Sequence, residues 1–146
     1  MSYIDNTYQM SKKEKRFFAL AKSVAQTSDY DRVKIGCCVV YKGTVISVAC
    51  NCNKTHPLQT KYNKYRNFDP NTYANKLHAE VHALSLIMNK DIDWKRVSIY
   101  TYRETKDGMP ACSRPCIACS NLINDLGIPT IYYINKKGEE TKERLR

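Results

Sequence analysis

Three side chains able to ligate a metal lie far apart along this chain, His78 in one segment and Cys116 and Cys119 well downstream. If they serve one ion, the fold must bring two distant segment starts together, a stronger constraint on topology than any composition. Cys116 and Cys119 follow Pro115, a residue suited to a first helical turn, and cysteines three apart on a helix share one face. A helix N-terminus also stabilises negative charge, so both are well placed as thiolates. The chain has seven cysteines, an odd number with no secretion signal before them, which argues against a disulfide framework. Cys37, Cys38, Cys50 and Cys52 fall in strand-like stretches and read as small core residues; Cys112, four residues before Cys116, reads as a bystander, the alternative being a thiol that lines the pocket near the metal.

Ser11 and Glu14 have capping-box spacing, and Phe17, Ala21, Val24 and Ala25 follow at helical intervals, predicting a helix over about 11–27. β-Branched residues over 33–41 and 44–51, joined by Lys42-Gly43, predict a hairpin. Residues 54–76 lose apolar periodicity and contain Pro57 and Pro70, so they read as a loop long enough to carry a function. Leu77, Val81, Leu84 and Met88 predict a second helix over 77–88. A strand over 97–102, a third helix over 115–126 ended by Gly127 and Pro129, and a strand over 129–134 follow. Residues 136–146 read as a frayed helix or a tail. Strands interleaved with helices require crossovers, which implies a mixed sheet with helices packed on it.

The 146 residues suit one domain, 1–146, and 42% apolar content is enough for a core. Basic side chains number 24 against 14 acidic, a formal charge of +10 that favours phosphate-bearing partners, whether single nucleotides or polynucleotides. No apolar run approaches 18 residues and the first ten residues are polar, so neither a membrane span nor a signal peptide is expected, and a cytoplasmic location is.

With His78, the two thiolates make three protein ligands, which leaves zinc a fourth position for water whose pKa can fall to about 7. Glu80, two residues past His78, can stay unligated and move the proton of that water. A closed alternative also fits: His82 lies one turn beyond His78 and could complete a structural Cys2His2 tetrahedron. Cys50, Cys52 and His56 could hold a second metal, although the core reading of the cysteines is the simpler one.

His78-Ala79-Glu80 followed by Pro115-Cys116-Ile117-Ala118-Cys119 resembles the zinc-dependent cytidine and deoxycytidylate deaminase superfamily, over about residues 34–134. The resemblance implies a three-layer α/β/α fold with a mixed central sheet of about five strands and helices on both faces. It implies one catalytic Zn2+ per chain held by His78, Cys116 and Cys119, with Glu80 as proton shuttle. The reaction implied is hydrolytic deamination of a nucleobase by a homo-oligomer with no organic cofactor, most readily the cytosine of a free nucleotide such as dCMP. In that family an Asn near the end of the strand before the loop binds the sugar; Asn51 holds that place here, with Asn53 as fallback. Ala79, Ser113 and Arg114, beside the ligands, are further substrate-contact candidates. The Gly-Tyr-Asn-Gly segment usual in the deoxycytidylate branch is here Ala49-Cys50-Asn51-Cys52.

The 54–76 loop interleaves Lys54, Lys61, Lys64, Arg66 and Lys76 with Tyr62, Tyr65, Phe68 and Tyr73, against the single acid Asp69. Together with His56 these residues could grip a phosphate or stack on unpaired bases. The plain alternative is a solvated loop anchored by its aromatics. A polynucleotide deaminase acting on single-stranded DNA or tRNA, and a non-catalytic zinc-stabilised nucleic-acid module, are the rival readings.

Overall fold

The computed structural model describes residues 2–30, 32–66 and 76–146. Its strands are β1 (Tyr3–Ile4), β2 (Val33–Tyr41), β3 (Thr44–Cys50), β4 (Val97–Thr105), β5 (Pro110–Ala111), β6 (Thr130–Ile134) and β7 (Glu140–Arg144). Its helices are α1 (Lys12–Ala25), α2 (Pro57–Tyr62), α3 (Ala79–Ser85) and α4 (Ile117–Leu126). The strands form one mixed sheet in the order β1-β7-β6-β4-β2-β3, with β5 paired to β4. β4 and β6 run parallel, because α4 crosses over between them, and the other pairs are antiparallel.

Side chains of β2 alternate between two cores. Cys37 and Val39 pack with Val81, Leu84, Leu122 and Ile123 from α3 and α4, while Cys38 and Val40 pack with Phe18 and Ala21 of α1. Helices therefore cover both faces, as the three-layer expectation requires. On the α1 face the Tyr100 and Tyr132 rings stack with centroids 4.2 Å apart. α1 starts on the capping box foreseen from Ser11 and Glu14. The β2–β3 turn takes positive φ at both Lys42 and Gly43, the geometry that matches a two-residue turn to strand twist. Gly36 lets α1 approach the sheet: a Cβ there would collide with the Ala21 carbonyl.

Three differences from the sequence reading have local causes. The sheet has seven strands rather than about five, because β1 and β5 are two residues long and carry no periodicity. The expected C-terminal tail is strand β7, whose Thr141 and Glu143 turn inward among outward polar residues, an alternation hidden because the inward residues are themselves polar. The loop contains α2 and a 3-10 turn, Asn63–Tyr65; α2 begins with Pro57 at its first turn and the His56 ring accepting from the Leu58 N–H. The called loop residues Phe68, Asp69, Pro70 and Tyr73 lie outside the described residues.

Candidate active site

The two ligand motifs meet because both helix starts face the same end of the sheet. His78 is the N-cap of α3 in extended conformation, and its ring is not used for capping. Cys116 is the N-cap of α4, and Cys119 lies in its first turn. His78 Nδ1 lies 3.4 Å from each Sγ, and the two sulfurs are 3.7 Å apart. Tetrahedral zinc with about 2.3 Å to sulfur and about 2.0 Å to nitrogen would space the sulfurs about 3.8 Å apart and nitrogen about 3.5 Å from sulfur. The donor set thus fits zinc in both chemistry and spacing, with three ligands and an open fourth direction.

Charge in the cluster is already polarised toward metal binding. The close contacts to Cys119 and His78 hold the Cys116 thiol well below the usual range despite burial. Cys119, in contact with the Cys116 sulfur and buried, is pushed up. A metal binds the thiolate form, so a divalent cation would displace the protons of both sulfurs.

Glu80 is 5% exposed and sits at the same helix start. Burial raises its pKa and the Cys116 thiolate adds to the rise, against the opposing pull of His78 and Cys119. A carboxyl whose pKa is raised in this way is placed to take a proton and return it. A cavity of about 610 Å³ opens onto His78, Glu80 and Cys116.

His82 does not join the cluster. Its Nδ1 lies 2.9 Å from the Cys50 carbonyl, and among the described residues the one His/Cys/Asp/Glu group with ligand atoms close enough for a metal is His78, Cys116 and Cys119. The closed Cys2His2 arrangement is therefore not formed, and Cys50, Cys52 and His56 do not converge on a second ion.

Asn51 lines the cavity, but its amide continues the β2–β3 ladder, accepting from the Ile35 N–H at 2.9 Å and donating to the Val33 carbonyl at 3.0 Å. Asn53 also lines it, tied by its backbone and side-chain nitrogens to Asp29. Ala79 is fully buried in the core. Ser113 reaches the cavity wall, yet its hydroxyl bridges the Thr101 carbonyl and the Ile134 N–H. Arg114 makes a forked pair with Glu143 of β7 at 3.1 and 3.0 Å, anchoring the segment just before Cys116.

The basic loop divides into two sets of residues. Arg66 and Lys76 line the cavity; Lys54, Lys61, Lys64, Tyr65 and His56 do not. Tyr62 is 5% exposed and its hydroxyl donates to Asp125 of α4, so it braces the helices and offers no face for a base. Arg114 and Cys112 line the cavity too, and Tyr30, Arg32 and Arg103, absent from the sequence reading, add to its wall. Arg103 did carry a signal, being the one cation of β4 and exposed there.

The family described as the cytidine and deoxycytidylate deaminase zinc-binding region matches residues 11–135. No curated protein matches the chain in sequence. Among solved structures it is similar to a cytidine deaminase from Burkholderia pseudomallei (TM-score 0.62, 19% identity, 91% of each chain covered). It is equally similar to a dCMP deaminase from the cyanophage S-TIM5 (TM-score 0.62, 22% identity, 87% of this chain and 86% of that one). The family match spans both ligand motifs, the structural likeness gives the same fold, and the donor geometry suits one zinc: the chain belongs to the cytidine and deoxycytidylate deaminases, hydrolytic enzymes.

Proposed function

We propose that this enzyme deaminates the cytosine of a free nucleotide, dCMP being the leading candidate, to the uracil product and ammonia. The observation that carries the reading is the buried Glu80 carboxyl beside the His78, Cys116 and Cys119 donor set, at the floor of a cavity walled by cations. When bound there, zinc supplies the Lewis acidity that makes water a nucleophile near neutral pH. Glu80 accepts the proton of the attacking water and delivers it to the ring nitrogen, then helps protonate the departing amine. Water supplies the oxygen of the new carbonyl, and ammonia carries away the exocyclic nitrogen. Arg32, Lys76 and Arg103 line the cavity with positive charge suited to a substrate phosphate.

The same cations favour a second substrate class, a single-stranded polynucleotide, whose backbone would track across Arg103 and Arg32. Reduced thiols as ligands support a cytoplasmic setting, and the exposed Leu86 and Ile117 support self-association. Incubating zinc-loaded protein with dCMP, dCTP, cytidine, single-stranded DNA and tRNA, and quantifying product by mass spectrometry, tests the reading. Turnover of DNA or tRNA with none of any free cytosine nucleotide overturns it.

A further inference from the structure

Gln59 is the one amide side chain of α2 and is fully buried. Its Oε1 accepts the His78 backbone N–H at 3.0 Å, and its Nε2 donates to Asn63 Oδ1 at 2.7 Å. The first N–H groups of a helix lack intrahelical acceptors, and in a capping box a Glu or Gln in the first turn reaches back to the N-cap N–H. That turn position in α3 is Val81, which has no acceptor, and the His78 ring is turned to the sulfurs. Gln59 supplies the missing acceptor from another helix. Three residues on, the Tyr62 hydroxyl donates to Asp125 Oδ2 at 2.7 Å, joining α2 to α4, the helix that begins with both cysteines.

We propose that α2 is a clamp for the metal centre, with Gln59 as the positioning residue that fixes His78 relative to Cys116 and Cys119. The inference rests on His78 being a zinc ligand. A 3.4 Å nitrogen-to-sulfur spacing then depends in part on two hydrogen bonds made by a six-residue helix, beside the contact of 3.3 Å between Arg66 Nη1 and His78 Nε2. Outer partners of this kind typically govern metal affinity by about 10–100-fold.

The test measures zinc affinity by chelator competition, and the ligand-field and sulfur-to-metal charge-transfer bands of the cobalt-substituted protein. Gln59→Met keeps volume and loses both hydrogen bonds; Gln59→Glu keeps the acceptor for His78; Tyr62→Phe cuts the link to α4. Val40→Ala, in the core under α1, is a control for general destabilisation. The clamp predicts zinc affinity about 10–100-fold weaker and altered cobalt bands in Gln59→Met, partial recovery in Gln59→Glu, a smaller loss in Tyr62→Phe, and no change in Val40→Ala. If Gln59→Met does not fold, Gln59→Glu and Tyr62→Phe decide the question by the same readouts. Wild-type affinity and bands in the folded Gln59 and Tyr62 variants overturn the clamp alone. Failure of the wild type to bind zinc, or undiminished binding in His78→Ala, overturns instead the ligand assignment beneath it.

Discussion

Glu143→Gln should destabilise the protein through a contact that also holds the approach to Cys116. Glu143 is 2% exposed on β7 and accepts from Arg114 Nε, Arg114 Nη2 and the Tyr133 hydroxyl at 3.1, 3.0 and 2.7 Å. Burial by itself would raise its pKa, but the Arg114 fork and Tyr133 outweigh burial and hold the carboxyl below the usual range. The amide keeps the shape, yet it turns an N–H toward the guanidinium and loses the charge. Hydrogen bonds to charged groups contribute about 1.5–3 kcal/mol. Arg114 is 49% exposed and can turn to water, which favours the lower part of that range, about 2 kcal/mol. For a chain of this size that is a fall of roughly 4–8 °C in Tm. A depressed folded-state pKa contributes stability above the unfolded carboxylate pKa, and that stability is lost as pH falls through the folded value. The deficit of Glu143→Gln should therefore be full at pH 7 and shrink below about pH 4. Thermal melts of both proteins from pH 7 to pH 3 measure it. A variant within about 0.5 kcal/mol of wild type at pH 7, or a deficit unchanged down to pH 3, refutes the reasoning.

Glu80→Ala should lower kcat by about 10²–10⁴-fold or more with zinc content unchanged by elemental analysis, since the carboxyl moves protons and is no ligand. His82→Ala should retain zinc and cost about 1 kcal/mol of stability through its lost bond to the Cys50 carbonyl, as read by chelator competition and denaturant titration. Gly36→Ala should cost about 3 kcal/mol or more in denaturant unfolding, because the added methyl meets α1 backbone that cannot yield. If the substrate is a polynucleotide, apparent affinity should fall steeply with salt, and Ala at Arg32, Lys76 and Arg103 should flatten the slope, whereas Ala at Lys61 and Lys64, away from the cavity, should not; a mononucleotide gives a shallow dependence.

The metal centre was legible in the sequence because its chemistry is local twice over. A Cys-x-x-Cys pair behind a proline and a His-x-Glu at a helix start each state their geometry in three or four residues. The hairpin was equally plain, since Lys42-Gly43 specifies its turn and β-branched runs flank it. Periodicity located α1, and Pro115 at one end with Gly127 and Pro129 at the other bounded α4. The seven-stranded sheet was not legible at its margins: β1 and β5 are too short to show a period, and β7 buries Thr141 and Glu143, side chains that read as surface.

Residue roles around the cavity needed the tertiary structure. Tyr62 and Lys61 read alike as loop residues suited to nucleic acid, yet one is buried against α4 and the other is exposed, and only packing separates them. Asn51 and Arg114 carry the polar groups a substrate contact requires, and their partners on β2 and β7 come from distant parts of the chain. Gln59 had no signal at all, because an isolated glutamine gains its meaning from the His78 N–H that the fold sets beside it. The sequence by itself determined which atoms can bind the metal and move the proton, since those properties belong to the side chains and their spacing. The tertiary structure decided which other polar groups remain available to a substrate, because a hydrogen bond already made within the fold is a property of pairs that only folding brings together.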